Sequence, residues 1–536
     1  MGADPDQKTV IGTQIVLLGT IPLYMKPDLL IRYILLFFLF SPGLQAQRVF
    51  YSDVEKDDYR QMNFEVIGRV GGNINVYKNY RTNNSISVYD NEMKLLTKVR
   101  LDFLPDKLGN VDFVAYPDAF WLFYQFQKKN IVYFNAVKMN GEGKMLQEPV
   151  PLDTTQVSGF SDNRVYSIIN SDDKQQIMLF KINRKNEKKY IISMMRFNAE
   201  LKLQKKDILP LDVGDREGVF TEFVMDNDGD FVFGRCARNG SQEYINKLDV
   251  VAKRAVSDSF NILNIPLNSK TLDEVKIKPD NINRKFVLTS FFYKQKKGNI
   301  EGIYNWVWDK NIGKISAISN FIFGDTLRLD AKSENAPLKQ AFNDYFIKQI
   351  IPKRDGGFAI LAELYYSTSR SSTWNRWDYL YGNNYFSPMD YSYYSPYSSL
   401  NYYRYWDPYN RYAGSNATRH YAENIVILSF DNTANLQWSN VIRKTQFDDN
   451  TDIFISYQIF YSGNEVRFLF NQLEKREQLL NSVSVNAAGQ MKRDPTLKNL
   501  DRNYEFMPRY GKQVGAKQIV LPCMFKNYIC FAKIDF

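Results

Sequence analysis

Few residues in this chain are placed to do chemistry. Asp226-Asn227-Asp228-Gly229-Asp230 sets carboxylates at alternate positions, a spacing from which oxygen ligands can converge on Ca²⁺. The glycine expected at the sixth position and the acid expected at the twelfth are missing; the twelfth residue is Ala237. A polar turn opening a strand is therefore the preferred reading of Asp226, Asp228 and Asp230, with a metal site as the alternative. The chain has one histidine, His420, which excludes any metal motif needing two and leaves a Ser-His-Asp triad only that residue. His420 flanks a strand start and reads as an ordinary surface or packed residue. Three cysteines cannot make a four-cysteine zinc site, and no Gly-rich phosphate loop is present. No cofactor is expected. Paired carboxylates for glycoside hydrolysis are a spatial property that spacing along a chain does not reveal.

Cys523 and Cys530 lie in "LPCMFKNYICFAKIDF", which reads as two strands around Lys526-Asn527. Pairing Phe525 with Tyr528 puts the cysteines opposite each other. A two-residue turn makes them a hydrogen-bonded pair; a four-residue loop makes them the closer, non-hydrogen-bonded pair that cross-strand disulfides usually take. A disulfide and two buried thiols are both open, with the thiols preferred.

One segment departs from what folding requires. Residues 385–412, "YFSPMDYSYYSPYSSLNYYRYWDPYNRY", are dense in tyrosine and nearly devoid of aliphatic side chains. Candidate contact residues in and around it are Trp374, Trp377, Tyr391, Tyr393, Tyr394, Tyr402, Tyr403, Arg404, Tyr405, Trp406 and Tyr409. Tyr, Trp, Arg and Ser make adaptable contacts at low entropic cost, and flat rings with hydroxyl tips can stack on sugars. The same composition also suits a cap packed on its own rings, or a disordered loop.

Those residues need a scaffold, and the rest of the chain supplies a β pattern. A short alternating strand, a polar turn and a second strand recur from Ile86, Val132, Ile191, Tyr244, Ile303, Ile425 and Ser482, and a last copy from Tyr528 stops after one strand. Most copies follow another turn-and-strand unit such as "YPDAFWLFYQF" or "RDGGFAILAE". A spacing of about 45 to 60 residues matches a four-stranded propeller blade. The expected fold is all-β, a propeller of about seven or eight four-stranded blades filling 47–536, with two β-sandwich domains as the alternative. The N-terminal "QRVFYSD" and "NFEVIGRV" are the segments able to complete the last copy and close the ring. Residues 336–350, "APLKQAFNDYFIKQI", are expected to form a connecting helix. The tyrosine-rich segment falls between two adjacent strands of one blade, as an insertion at 367–421.

From Met25 the sequence runs "MKPDLLIRYILLFFLFSPGLQAQ", with basic residues, a short apolar run, a helix breaker and a small residue, Ala46, before Gln47. This pattern predicts a secretory signal at 25–46, with 1–24 an upstream extension; the apolar run is too short to span a bilayer. The protein is thus expected to be exported: periplasmic, outer-membrane-associated or extracellular. A net charge of +10, spread along the chain, favours anionic partners and allows peripheral membrane association. Export argues against nucleic acid.

The signal segment, "YRTNNSISVYDNEMKLL" and "KQKKGNIEGIYNWVWDK" together resemble a family of exported, propeller-like proteins of Bacteroidota-type bacteria. The resemblance implies localisation and brings no activity or catalytic residues. The function expected is a non-enzymatic binding or scaffold protein of the cell envelope, recognising a protein or glycan partner. The alternatives are a carbohydrate-active enzyme using carboxylates in a propeller channel, and a structural subunit of an outer-membrane assembly.

Overall fold

The computed structural model describes residues 47–56, 62–157, 165–186, 189–212, 218–237, 244–294, 298–369, 373–381, 393–394, 418–449, 451–474, 477–494 and 504–536. The segment 25–46, expected to be a secretory signal, and residues 1–24 before it lie outside them. Gln47–Phe536 is one compact unit of eight antiparallel sheets, each built around four strands. In chain order the blades are 62–100, 110–156, 167–212, 218–265, 271–322, 345–442, 457–493, and 504–535 completed by 48–51. Seven of the recurring units are the third-and-fourth-strand hairpins of these blades, and the eighth, from Tyr528, is the third strand of the last blade.

Eight hydrophobic clusters fill the eight junctions between neighbouring blades, and each strand side serves a different junction. In the second blade Phe120, Leu122 and Tyr124 pack with Ile67 and Ile86 of the first. The alternate residues Trp121 and Phe123 pack with Ile177 and Leu179 of the third. Because both faces of every sheet are buried, the strand Ala119–Lys128 opens as an unbroken apolar run, AFWLF. Burying each such side chain is worth about 1.5–3 kcal/mol, and the pleat decides which junction receives it.

The ring closes by strand exchange. Arg48–Tyr51 pairs antiparallel with Tyr528–Asp535 as the outermost strand of the eighth blade, Arg48 opposite Asp535 and Tyr51 opposite Ala532. "QRVFYSD" is therefore the closing strand, whereas "NFEVIGRV" belongs to the innermost strand of the first blade, Met62–Val70. Closure places the first and eighth blades in contact through a shared cluster containing Ile74 and Phe531. The alternative of two sandwich domains does not hold, because each sheet packs on both neighbours in a cycle.

Two further expectations are corrected. Residues 336–350 hold a 3-10 turn, Leu338–Gln340, followed by the innermost strand of the sixth blade, Tyr345–Pro352. A strand buried on both faces carries contiguous apolar residues, which spacing alone does not separate from a buried helix. The connecting helix lies earlier, at Asp325–Ala331, where buried Arg328 donates to the carbonyls of Ile300 and Phe323. The insertion is also shorter than expected, since its flanking strands run to Ser369 and resume at Thr418.

Candidate functional site

Each blade is a four-stranded meander, so first-to-second and third-to-fourth turns lie on one face of the ring. Second-to-third turns and blade-to-blade crossings lie on the other. The insertion leaves the sixth blade between its second and third strands, on this second face.

Its first described residues are fastened to the ring. The Arg376 guanidinium donates through Nε and Nη2 to Asp273 Oδ2 at 2.7 and 2.5 Å, and lies 4.0 Å from the centre of the Phe346 ring. Tyr293 donates to the same carboxylate at 2.9 Å, and Tyr381 to the Asp273 carbonyl at 3.0 Å. Trp374 Nε1 donates to Asp344 at 3.0 Å, and its ring packs among Phe346, Tyr365 and Tyr379. The short helix Arg376–Tyr381 buries Trp377, Leu380 and Tyr381 in the junction of the fourth and fifth blades. Trp374 and Trp377, expected among the contact residues, therefore anchor the insertion: their apolar rings find a better home in the core than in water. Farther on, Tyr393 and Tyr394 pair with Asn183 and Ile182 of the third blade. The inner strand of that blade, Ser167–Asn170, pairs only with the lower half of its second strand. Tyr391, Tyr402, Tyr403, Arg404, Tyr405, Trp406 and Tyr409 lie outside the described residues.

Beside the anchor sits Glu274, fully buried. The Ile347 amide donates to its Oε1, while Oε2 accepts no hydrogen bond. Burial pushes this carboxyl up to about 7, against the attraction of Lys276 and Arg376.

The root of the insertion also gathers titratable side chains around His420, most of which the sequence did not single out. Tyr365 Oη and His420 Nδ1 are 2.9 Å apart, and burial lowers the His420 pKa, favouring the neutral ring. Asp448 stands opposite His420 on the short strand Gln446–Asp449. Burial pushes Asp448 up to about 6 although the Thr451 hydroxyl donates to it at 2.6 Å. Burial likewise raises Glu505 of the eighth blade, whose charge adds to the rise at Asp448. Asp452 accepts from Arg509 at 2.7 Å, and Tyr366 stacks on Tyr421 with ring centres 4.6 Å apart. The Tyr365 hydroxyl, the His420 ring and the protonatable Asp448 carboxyl, on one face of the sheet at this rim, can hold a hydroxyl-rich or amide-bearing ligand. Tandem acids in "FDDN" were the only local hint, because Asp448 of the sixth blade and Glu505 of the eighth are brought within electrostatic reach by packing alone.

On the opposite face the alternating aspartates form the first turn of the fourth blade, and a lysine takes the place a calcium ion would need. Lys310 Nζ, from the fifth blade, contacts Asp226 and lies 2.7 Å from Asp228 and 2.9 Å from Asp230. Arg254 adds a contact to Asp230 at 2.9 Å, and Arg284 one to Asp228 at 3.1 Å. Burial raises Asp226 more than Lys310 lowers it; the three aspartates in turn raise Lys310 against its own burial. The calcium alternative is corrected on this ground. Among the described residues no group of three His, Cys, Asp or Glu side chains is arranged to hold a metal.

Cys523 and Cys530 are cross-strand partners around a two-residue turn in which Lys526 and Asn527 take φ of 49° and 67°. Their sulfurs face each other, 2.9 Å apart and fully buried.

No family model matches the sequence, and no curated protein matches it. Among solved structures the chain is similar to the WD40 domain of SCAP from fission yeast, at 9% identity and a TM-score of 0.39, over 91% of this chain and 98% of that one. It is also similar to a polysaccharide lyase of family PL25, an ulvan lyase, at 9% identity and a TM-score of 0.34, over 78% and 90%. Prolyl oligopeptidase B from Galerina marginata aligns at 8% identity and a TM-score of 0.39, over 88% of this chain and 56% of that one. The assignment as an eight-bladed β-propeller rests on the eight sheets themselves. A propeller supports a binding or scaffold role in general.

Proposed function

We propose that this chain is exported by its 25–46 segment and acts at the cell envelope as a non-enzymatic binding or scaffold protein. Its recognition face is the one from which the insertion arises, and its partner is a protein or a glycan. One observation carries this reading: the described parts of the insertion run from the sixth blade over the junction of the fifth and fourth to the third. These described parts lie over one face of the ring, the face that also carries the Tyr365–His420–Asp448 cluster.

The test is capture of envelope extract on the immobilised protein, with Tyr365→Ala, His420→Ala and Arg509→Ala as variants. Capture that survives protease treatment of the extract, and falls in the variants, identifies a glycan. Capture abolished by protease identifies a protein. Equal capture by all variants would remove this face from consideration. A second reading, a carbohydrate-active enzyme, is favoured by the raised carboxyls of Asp448 and Glu505. It requires that Asp448→Asn and Glu505→Gln abolish release of reducing ends from envelope polysaccharide.

A further inference from the structure

The face opposite the insertion carries large aliphatic side chains where hairpin turns usually carry polar ones. Val256, in the third-to-fourth-strand turn of the fourth blade, is 90% exposed. Ile282 and Ile312, in the two turns of the fifth blade on the same face, are 72% and 60% exposed. Leaving three such tips in water forfeits stabilisation that burial would provide, and exposed apolar groups of this kind mark interaction sites.

The three turns are tied together. Arg254 Nη1 donates to the Lys310 carbonyl at 3.3 Å, and the Lys310 amide to the Arg284 carbonyl at 3.1 Å. Arg284 Nε also donates to Asn311 Oδ1 at 3.0 Å. Each aliphatic tip stands two residues from one of these contacts. Lys205 and Lys253 both donate to the Ser257 carbonyl, which fixes the Val256 turn. The tips are therefore presented together on a rigid base made by the Lys310 cluster.

The surrounding charge is selective. Asp207, Asp226, Asp228, Asp230 and Asp258 each face a lysine or arginine of the fold. Arg196, Lys285, Lys314 and Arg354, on the same blades and the neighbouring turn, have no carboxylate partner among the described residues. Arg196 also lines a small cleft with Lys205, Lys253, Arg254 and Asp207 at the foot of the Val256 turn. Asp280 and Asp309, in the two turns of the fifth blade, stand opposite Lys285 in strand register, and Asp309 opposite Lys314 as well, so the positive charge left over beside the apolar tips rests on Arg196 and Arg354.

We infer that this face docks on an anionic phospholipid surface, with Val256, Ile282 and Ile312 entering the boundary between headgroups and acyl chains. Arg196 and Arg354 face the lipid phosphates. Aliphatic tips that each project from a convex turn suit a soft interface, and unpaired cations beside them complement its negative surface potential. The site is separate from the insertion face, so it stands or falls independently of the function proposed above.

The experiment is co-sedimentation of the mature chain with phosphatidylglycerol vesicles and with phosphatidylcholine vesicles, across a salt series. Wild type is expected to sediment with phosphatidylglycerol, less so as salt rises, and only weakly with phosphatidylcholine. The triple variant Val256→Ser, Ile282→Ser, Ile312→Ser should lose about tenfold or more in vesicle partition, given the apolar carbon withdrawn. Its melting temperature should not change, since these side chains are exposed. Arg196→Glu with Arg354→Glu should weaken binding and flatten the salt dependence. Failure of wild type to bind phosphatidylglycerol vesicles, or equal binding by the triple variant, would overturn the inference.

Discussion

Replacing Lys310 with Met removes one charge while keeping a side chain of similar length in the same space. Three aspartates then lose the cation that contacts all of them. Asp230 keeps Arg254 at 2.9 Å and Asp228 keeps Arg284 at 3.1 Å, so Asp226 is the carboxylate left without a cation. Asp226 is 5% exposed and otherwise accepts the Asp230 amide at 2.9 Å. Breaking a buried pair costs about 3–5 kcal/mol, and the two surviving arginines put this case near about 3. A unit of roughly 490 residues unfolds with an entropy of about 1 kcal/mol per kelvin, so the melting point should fall by about 3 °C. The loss depends on pH in a definite direction. In the variant the folded-state pKa of Asp226 lies above its unfolded value of about 3.9, so ionisation destabilises the fold as pH rises through it. The deficit should be small near pH 4 and complete at pH 7. Lys310→Ala, which opens space as well, should show the same loss and recover part of it in millimolar Ca²⁺, while wild type ignores the ion. The assay is calorimetric melting at both pH values, with and without calcium. A deficit below about 1 kcal/mol at pH 7, or a wild-type melting point that rises with calcium, would refute the reasoning.

Three more outcomes are expected. Glu274→Gln should stabilise the protein by roughly 2–3 kcal/mol at pH 8 and much less at pH 5. The reason is that the folded carboxyl is raised to about 7, so its favourable contribution, present below the unfolded pKa, is lost as pH climbs through 7. Melting at the two pH values checks this, and a pH-independent effect would count against the burial of an unpaired oxygen as the cause. Cys236, Cys523 and Cys530 are 2%, 0% and 0% exposed, so a thiol reagent should label none of them in native protein and all three after denaturation. A single label after denaturation would reveal a disulfide. Deleting 47–51 should leave the Tyr528–Asp535 edge unpaired, lowering the melting point and producing concentration-dependent association visible by light scattering. An unchanged, monomeric variant would mean that strand exchange contributes little to closure.

Local chemistry made much of this architecture legible in the sequence. Turn residues and period-2 alternation are properties of a few consecutive residues, and they located seven third-and-fourth-strand hairpins, the third strand of the eighth blade and the Cys523–Cys530 register. The high aromatic content follows from sheets buried on both faces, and that same double burial made Tyr345–Pro352 read as helix rather than strand. What packing alone decided lies at long sequence separation. Lys310 meets Asp226 across 84 residues, and Arg376 meets Asp273 across 103; neither aspartate carries any local mark of its partner. The sequence at 226–230 reads as a polar turn with a metal site as the alternative, and the turn it forms holds a cation of the chain. The local sequence specifies the carboxylates, and only the approach of the fifth blade to the fourth determines that the cation is an ammonium of the chain itself.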